Sequence, residues 1–588
     1  MPGGRHRTRR ESLPAPPAEV QEALDRALRP FGDRPARDRA LPVLQAAHRA
    51  AGALSPPVLA YVSERTRLPL AHLTALVTFY EELTIDPGGR PVLRVCDDVA
   101  CRLGGRAERV LAAARASGRF TVHPTACLGA CDRGPAALLE GELVAPVDPE
   151  ALPDPNSVGD PSRRAPGGAR HGWLPGHAPR LLRRCGQVDP ESAEAYRAAG
   201  GFRGLERALA MDPDAVIAAV REAGLLGRGG AAFPTGAKWE AARRAPGQPK
   251  YVVVNADESE PGAYTNRKLL EEDPFAVLEG MLIAAHAVGA SRGYVYVRGE
   301  YALATRRVER ALAALRRLGW LGPDALGHGR PFDVELRRGA GAYVCGEETA
   351  LFASIEGYRG EPRPKPPFPT THGLFGKPTV VQNVETLACV TLILAEGPDG
   401  FRAAQPKLFS VSGHVRRPGV YEVPLGTPLR RLLEDCAGGV EGELQAVLIG
   451  GAAGMFLRPD QIDVPLDHEP LRAAGATLGA GAVLVLNHTV DLWRDVALRV
   501  ARFFADESCG QCVPCRIGTA RQLERVAAMA GRGGRSDDLA VLEQLGAVMA
   551  DASICGLGQS ASWAVLSLAR QFGLPAAPAA PAEGGKER

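Results

Sequence analysis

The chain has 588 residues and a formal net charge of +3. That length allows about three or four domains and a large core. The near-neutral charge gives no reason to expect a nucleic-acid partner. The Arg-rich start MPGGRHRTRR is not followed by an apolar stretch, which argues against a secretory signal. No apolar run reaches the roughly 18 residues of a spanning helix. A cytoplasmic chain without direct membrane insertion is expected, with docking onto a membrane-bound assembly left open. Of the twelve cysteines, eight fall into two groups and Cys185, Cys345, Cys389 and Cys436 are scattered. In a reducing compartment grouped cysteines read as metal or redox ligands, and isolated ones as buried thiols.

In chain order, residues 1–16 read as a disordered basic tail and residues 17–86 as a helical segment. There Leu41, Leu44 and His48 share one face and Leu70, Leu73, Leu76 and Phe79 another, the spacing of a small bundle core. Residues 87–147 alternate strand, loop, helix, strand and loop. A strand over 91–96 leads into Cys96-Asp-Asp-Val-Ala-Cys101, and a second, from Phe120, into Cys127-Leu-Gly-Ala-Cys131. Four thiolates on two adjacent loops can surround a 2Fe–2S cluster. Zinc also takes four cysteines, although its usual spacing centres on C-x2-C pairs. Residues 148–182, rich in Pro, Gly, Asp and Arg, read as a linker.

Residues 183–402 carry three polar loops. The first, Gly224-Leu-Leu-Gly-Arg-Gly-Gly-Ala-Ala-Phe-Pro-Thr-Gly-Ala-Lys-Trp239, holds four glycines within seven positions. Glycine lets backbone amides approach an anion and permits positive φ. Arg228 and Lys238 add positive charge, and Phe233 and Trp239 could cover a planar ring. A phosphorylated aromatic cofactor suits such a loop, while a plain turn is the simpler alternative. The second follows the β-branched run from Tyr251, which predicts a buried parallel strand, and carries Asn255, Asp257, Glu258 and Glu260. Ligands of open α/β sheets bind beyond the carboxyl ends of strands. The third, Gly339-Ala-Gly-Ala-Tyr-Val-Cys-Gly-Glu-Glu-Thr-Ala350, opens a helical pattern with Tyr343, Gly346, Glu347 and Glu348. Solvated loops or helix N-termini stabilised by carboxylates are the alternatives for both acidic groups. Lys365-Pro-Pro-Phe-Pro369 is stiff enough to hold Phe368 against a ring, and Val380 to Thr386 brings Asn383 and Thr386.

Residues 403–488 alternate apolar and polar around a helix from Leu429 to Cys436 and predict a β-grasp-like domain with no sign of catalysis. Residues 489–573 are helical. Leu492, Val496, Val500 and Phe503 form one stripe, and Cys509-Gly-Gln-Cys512-Val-Pro-Cys515 follows. C-x2-C-x2-C lets three thiolates converge on one 4Fe–4S cluster, with a fourth ligand from elsewhere. Cys555 is the candidate fourth, with a structural zinc as the alternative. Residues 574–588 read as a disordered tail.

The motifs GRGGAAFPTGAKW, NADESEPG, GAGAYVCGEETA, KPPFP and ESCGQCVPC, in that order, resemble the NADH-binding flavoprotein subunit of respiratory complex I and its relatives. Those relatives include NAD-reducing hydrogenases and NAD-dependent formate dehydrogenases. The resemblance spans about His171 to Phe572. A second one, to the small thioredoxin-like 2Fe–2S partner of that subunit, spans about Ala18 to Val147. It implies a multidomain α/β fold: a helical segment with a thioredoxin-like ferredoxin domain, an α/β FMN/NAD domain, a β-grasp-like domain and a C-terminal helical 4Fe–4S domain.

By this resemblance FMN is held by Gly227, Arg228, Gly229, Gly230, Lys238, Asn255, Asp257, Glu258, Gly346, Glu347, Asn383 and Thr386. NAD(H) stacks on the flavin and contacts Phe233, Lys238, Glu260, Tyr343, Glu348 and Phe368. Glu260 and Glu348 are the residues nearest the chemistry, as positioning groups. One 2Fe–2S cluster is assigned to Cys96, Cys101, Cys127 and Cys131, and one 4Fe–4S cluster to Cys509, Cys512, Cys515 and Cys555. Three departures stand out. The segment between the first two cysteine pairs is shorter than usual, Ala241 replaces a common second aromatic, and Gln382-Asn383 replaces paired asparagines. Ala241 implies weaker dinucleotide binding.

A flavin links hydride transfer, which moves two electrons together, to clusters that take one at a time. The resemblance therefore implies a diaphorase subunit, closest to the β subunit of NAD-dependent formate dehydrogenases. It would work in a hetero-oligomer beside a catalytic iron–sulfur subunit containing molybdenum or tungsten. The alternatives are the NADH-oxidising subunit of complex I, an NAD-linked hydrogenase diaphorase and, from another class, a non-catalytic iron–sulfur scaffold.

Overall fold

Three sheets organise the chain in the computed structural model, which describes residues 14–85, 89–154, 169–325 and 329–577. The first contains β1 (Val92–Cys96), β2 (Thr121–Thr125), β3 (Ala137–Leu139) and β4 (Glu142–Val144), in the order β2-β1-β3-β4. β1 runs parallel to β2, joined through the helix Arg106–Ser117, and antiparallel to β3. Cys96 ends β1, and Cys127 follows β2 by two residues, so both cysteine pairs leave the same end of the sheet.

β5 (His171–Trp173) comes next, inside the stretch expected to be a linker. It pairs in parallel with a strand some 250 residues later, and Leu174, Leu181 and Leu182 are buried. Only residues 155–168 of that stretch lie outside the described residues. The Pro/Gly-rich composition hid the strand because three residues are too few to establish a period.

The central sheet, β8-β7-β6-β9, is wholly parallel: β6 (Tyr251–Ala256), β7 (Arg292–Val297), β8 (Asp333–Arg338) and β9 (Thr379–Asn383). Covered on both faces, β6 can be a continuous β-branched run. The crossover helix Pro274–Val288 is buried on nearly every side, because it packs against Val384–Glu396 and Arg203–Leu209 as well as the sheet. Gly280 makes that approach possible: a Cβ there would lie 2.2 Å from the Leu387 carbonyl oxygen. The other crossover helix, Ala302–Arg317, is tied to its neighbours by its arginines: Arg306 reaches Glu142 of the first sheet, and Arg307 and Arg310 both reach Glu191.

The third sheet has the order β13-β12-β14-β10-β11-β5. It comprises β10 (Pro406–Gly413), β11 (Gly419–Pro424), β12 (Leu444–Ile449), β13 (Met455–Leu457) and β14 (Ala482–Asn487) around its own apolar core. The expected helix at its centre is α-helical over Leu429–Arg431 and a π-turn over Leu432–Cys436. Five helices complete the fold: Leu498–Asp506, preceded by a π-turn over Leu492–Ala497, then Val513–Arg532, Ser536–Ala552, Gly556–Ser560 and Trp563–Phe572. The expected C-terminal tail begins with ordered contacts, since the Gly534 amide donates to the Pro575 carbonyl.

The N-terminal helices, Ala18–Leu28, Ala40–Ala51, Pro56–Thr66 and Leu70–Val77, brace β8 and the loop beyond it. Gln45 donates to the Gly339 carbonyl at 2.8 Å, the Glu82 amide to Ala340, and the Tyr80 hydroxyl to Ser354. Leu73 and Leu76 are buried as expected, but Leu70 is 37% exposed because it opens its helix at the surface. Among the described residues no helix is long and apolar enough to cross a membrane.

Candidate functional site: a cleft between two sets of cysteines

β6 and β9 are neighbours and run the same way, so the loops leaving their carboxyl ends face each other across one cleft of about 380 Å3. Open α/β sheets bind their ligands in this position. On one side lie Arg228, Gly229, Gly230 and Ala231; opposite are Asn255, Asp257 and Glu260; Tyr343, Gly346 and Glu347 form a third edge. The loops hold one another. The Arg228 amide donates to Thr386 Oγ1 at 2.9 Å, Asn383 Nδ2 to Asn266 Oδ1 at 2.7 Å, and Asn255 Nδ2 to the Gly346 carbonyl at 2.9 Å. Gly230 has φ +111, and a Cβ on Gly229 would come within 3.3 Å of Asn383 Cβ. Side chains are thereby excluded where backbone amides face the cleft.

The electrostatics of the acidic loop divide its carboxylates by role. Burial pushes Asp257 up to about 8, and its Oδ2 is buried with no hydrogen-bond partner among the described residues. Glu260 is pushed up to about 7 by burial, although the Ala453 amide and the Tyr343 hydroxyl donate to it. Glu258 also lines the cleft, while its carboxylate accepts from the Asn266 and Arg267 amides and so caps the helix Thr265–Glu272. At the cleft mouth burial alone would raise Glu348, but Lys238 and Lys365 hold it below the usual carboxylate range. Lys238 Nζ lies 3.0 Å from Glu348 Oε2, while Lys365 Nζ lies 2.9 Å from Glu347 Oε1 and 2.8 Å from Glu348 Oε1.

Two thiol sets flank the cleft. Cys96, Cys101, Cys127 and Cys131 are buried and line one small cavity together with Gly262 and Gly451. Cys127 Sγ and Cys131 Sγ are 3.3 Å apart. Hydrogen bonds from Cys131 and Cys96 hold the Cys127 thiol well below its ordinary range. On the other flank Cys515 and Cys555 are buried, and Cys509 and Cys512 are half-buried. Burial, opposed by the Leu557 and Gly558 amides, pushes Cys555 up to about 11. Gly556 and Leu557, immediately after Cys555, are themselves part of the cleft wall.

Residues 220–392 match the family described as Nuo51 FMN-binding domain. Residues 495–574 match the NADH-ubiquinone oxidoreductase-F iron-sulfur binding region, 32–154 the thioredoxin-like [2Fe-2S] ferredoxin, and 408–451 the SLBB domain. The NADH-quinone oxidoreductase F 2 subunit of Rhizobium meliloti (strain 1021) is 43% identical over 406 residues, which cover 67% of this chain and 96% of that protein. The chain belongs to the family of NADH-quinone oxidoreductase F subunits.

NADP-reducing hydrogenase subunit HndC of Solidesulfovibrio fructosivorans is 42% identical over 402 residues, 66% of this chain and 81% of that protein. Among solved structures, NAD+-reducing [NiFe]-hydrogenase in the H2-reduced state has a chain with TM-score 0.78 and 34% identity, covering 91% of each chain. This member of the family is an FMN and iron–sulfur NADH oxidoreductase subunit whose cofactors are FMN, NAD(H), one 4Fe–4S and one 2Fe–2S cluster. Its residues fit those groups. The glycine cradle leaves room for a flavin, Asp257 Oδ2 offers an unused acceptor, and each cluster has four cysteines within its own fold unit.

Not every residue expected to bind a cofactor lines the cleft. Gly227, Lys238, Thr386 and Glu348 stand behind or beside its wall; the Gly227 amide donates to the Phe233 carbonyl and the Thr386 hydroxyl accepts the Arg228 amide, so both support the first loop. Phe233 and Phe368 are 55% and 58% exposed and lie outside the wall. Conversely, the third-sheet unit contributes Gly450, at the end of the SLBB match, together with Ala453, Thr477, Gly479 and Ala480 beyond it, and the terminal helices add Leu557, Ser560 and Trp563. The β-grasp-like domain expected over 403–488 carried no sign of catalysis. Small residues in β-turns carry no chemical signature, and their approach depends on a tertiary contact. Lys365 was visible in KPPFP, but nothing in that motif announces its pairing with two glutamates.

Proposed function

We propose that this chain is the NAD(H)-handling subunit of a cytoplasmic NAD-dependent formate dehydrogenase, reducing NAD+ with electrons from a molybdenum- or tungsten-containing partner in a hetero-oligomer. The diaphorase part of this reading is carried by one observation: a single cleft has cluster-ligand loops on both flanks. The formate part is supported by the fused arrangement and by the cluster motifs DESCGQCVPCR and DASICGLGQ. A hydrogenase diaphorase is the second reading, favoured by the likeness over 91% of each chain to the NAD+-reducing [NiFe]-hydrogenase. The complex I relatives cover about two thirds of this chain.

Bound FMN supplies the chemistry that joins hydride transfer to single-electron transfer. The protein's task is placement. Arg228, Gly229 and Gly230 would offer amides and charge to the FMN phosphate, with Asn383 and Thr386 fixing that loop, and Asn255, Asp257 and Gly346 would border its ring. Glu260 and Tyr343 stand where a nicotinamide would stack, and Glu348, held by Lys238 and Lys365, stands where its ribose portion would pass. Phe233 and Phe368, exposed at the entrance, are free to close on an adenine.

The test is purification of the native complex from its source, followed by metal analysis and assays. Molybdenum or tungsten with formate-dependent NAD+ reduction is the expected result. Nickel with hydrogen-dependent reduction would select the second reading, and a quinone-reducing membrane complex would reject both.

A further inference from the structure

Arg298 follows β7 and is 2% exposed. Its guanidinium donates to three places at once: Nη1 to the Glu258 carbonyl at 2.6 Å, Nη2 to the Cys127 carbonyl at 2.7 Å, and Nε and Nη2 to the Glu300 carboxylate at 3.1 and 2.6 Å. One side chain thus joins a ligand of the 2Fe–2S site to the acidic loop of the flavin cleft. Two further contacts close the same joint. Arg267 Nη2 reaches Asp132, the neighbour of Cys131, at 3.0 Å, with both side chains essentially inaccessible. Tyr301 donates to Glu258 Oε2 and packs over Gly129, where a Cβ would lie 2.3 Å from its hydroxyl.

We propose that Arg298 is a positioning residue that couples the 2Fe–2S site to the flavin cleft and raises the reduction potential of that cluster. Reducing a 2Fe–2S cluster with one electron, here drawn from NADH, adds one negative charge and makes or breaks no bond. Nearby charge and hydrogen bonding set the potentials of such clusters, and buried charges act in a medium that screens them poorly. The guanidinium stabilises the reduced state; the Glu300 carboxylate opposes it. Arginine suits the place because its planar fork bridges two carbonyls and a carboxylate, a geometry a lysine ammonium cannot reproduce.

The inference rests on the 2Fe–2S assignment, and the experiment separates the two. Full-length holoprotein carrying Arg298→Met, Arg298→Lys or Glu300→Gln is titrated potentiometrically with detection of both clusters by EPR. At pH 9 the nearby Glu82, pushed up to about 7 by burial, stays ionised in the unmodified protein. The 2Fe–2S midpoint falls in Arg298→Met, rises in Glu300→Gln and stays near its starting value in Arg298→Lys, while the 4Fe–4S midpoint does not move. Stopped-flow reduction by NADH reports the positioning effect: Arg298→Lys slows arrival of the electron at the 2Fe–2S cluster despite the retained charge. Shifts of one sign in both Arg298→Met and Glu300→Gln, or none, overturn the proposal. If Met prevents cluster assembly, Arg298→Gln serves as the uncharged variant, and its 2Fe–2S midpoint must fall. A 2Fe–2S signal that survives Cys96→Ala would instead overturn the cofactor assignment.

Discussion

The Tyr343 hydroxyl donates to Glu260 Oε2 at 2.7 Å, joining the second glycine loop to the acidic loop inside the cleft. The other Glu260 oxygen accepts the Ala453 amide at 2.9 Å, so the third-sheet unit also takes part. Burial raises Glu260 to about 7, and these donors restrain the rise. A hydrogen bond to the charged form lowers a carboxyl pKa, so Tyr343→Phe raises it further, by roughly one unit. The pH profile of NADH oxidation with an artificial acceptor should move to alkaline pH by that amount, and Glu260→Gln should erase the inflection. An inflection that stays put in Tyr343→Phe would rule out this coupling.

Lys365 bridges Glu347 and Glu348, and Lys238 completes the cluster. In Lys365→Met, Glu348 keeps only one cation and gains freedom to leave the geometry the dinucleotide needs. The expectation is a KM for NADH about tenfold higher with a smaller change in kcat, equivalent to about 1.4 kcal/mol of lost binding. Steady-state kinetics decide it. A change confined to kcat would mean that the pair acts on the chemistry and not on binding.

The two thiol sets belong to separate fold units, the first sheet and the terminal helices, and their losses should be separable. Cys555→Ala removes the residue proposed as the fourth ligand of one cluster, next to the Leu557 wall. It should abolish the 4Fe–4S EPR signal while FMN and the 2Fe–2S signal persist. Cys101→Ala should do the reverse. Electron delivery between NAD(H) and the partner subunit should fall at least about tenfold in the first variant, because single-electron acceptors must stay close to the flavin. Loss of both signals in either variant would show that the sites fold as one.

Much of this arrangement was legible from the chain alone because the chemistry is local. C-x2-C-x2-C, a cysteine pair after each of two strands, and glycine runs beside acidic residues are dictated by ligand number and backbone clearance. The parallel strand from Tyr251 announced itself by its β-branched run. What escaped is non-local. β5 is three residues long and acquires its place only by pairing with β11. Glu258 looked like its acidic neighbours, yet the helix start that follows it claims its carboxylate. The cleft wall from Gly450, Ala453 and Thr477 exists because the third sheet folds back onto the second. The salt-bridged face of Ala302–Arg317 depends in the same way on Glu142 and Glu191, which lie far away in sequence.

Asp257 yields a prediction about pH whose sign follows from its environment. Its ordinary value is 3.8, and burial raises it to about 8 in the fold. Between those values the folded flavin-free protein keeps a proton that the unfolded chain has lost. The stabilising contribution is therefore complete below about pH 4 and disappears as pH rises toward 8. The slope is about 1.4 kcal/mol per pH unit within that window. Glu260 adds a similar loss that ends near pH 7. Asp257→Asn, neutral throughout, should flatten the fall by one such slope in urea melts of the flavin-free protein between pH 5 and 8. The variant should gain on the parent as pH increases, being most favoured relative to it near pH 8. Parallel curves for the two proteins would mean that Asp257 is ionised in the fold, and the unpaired Oδ2 would then need a cation within reach.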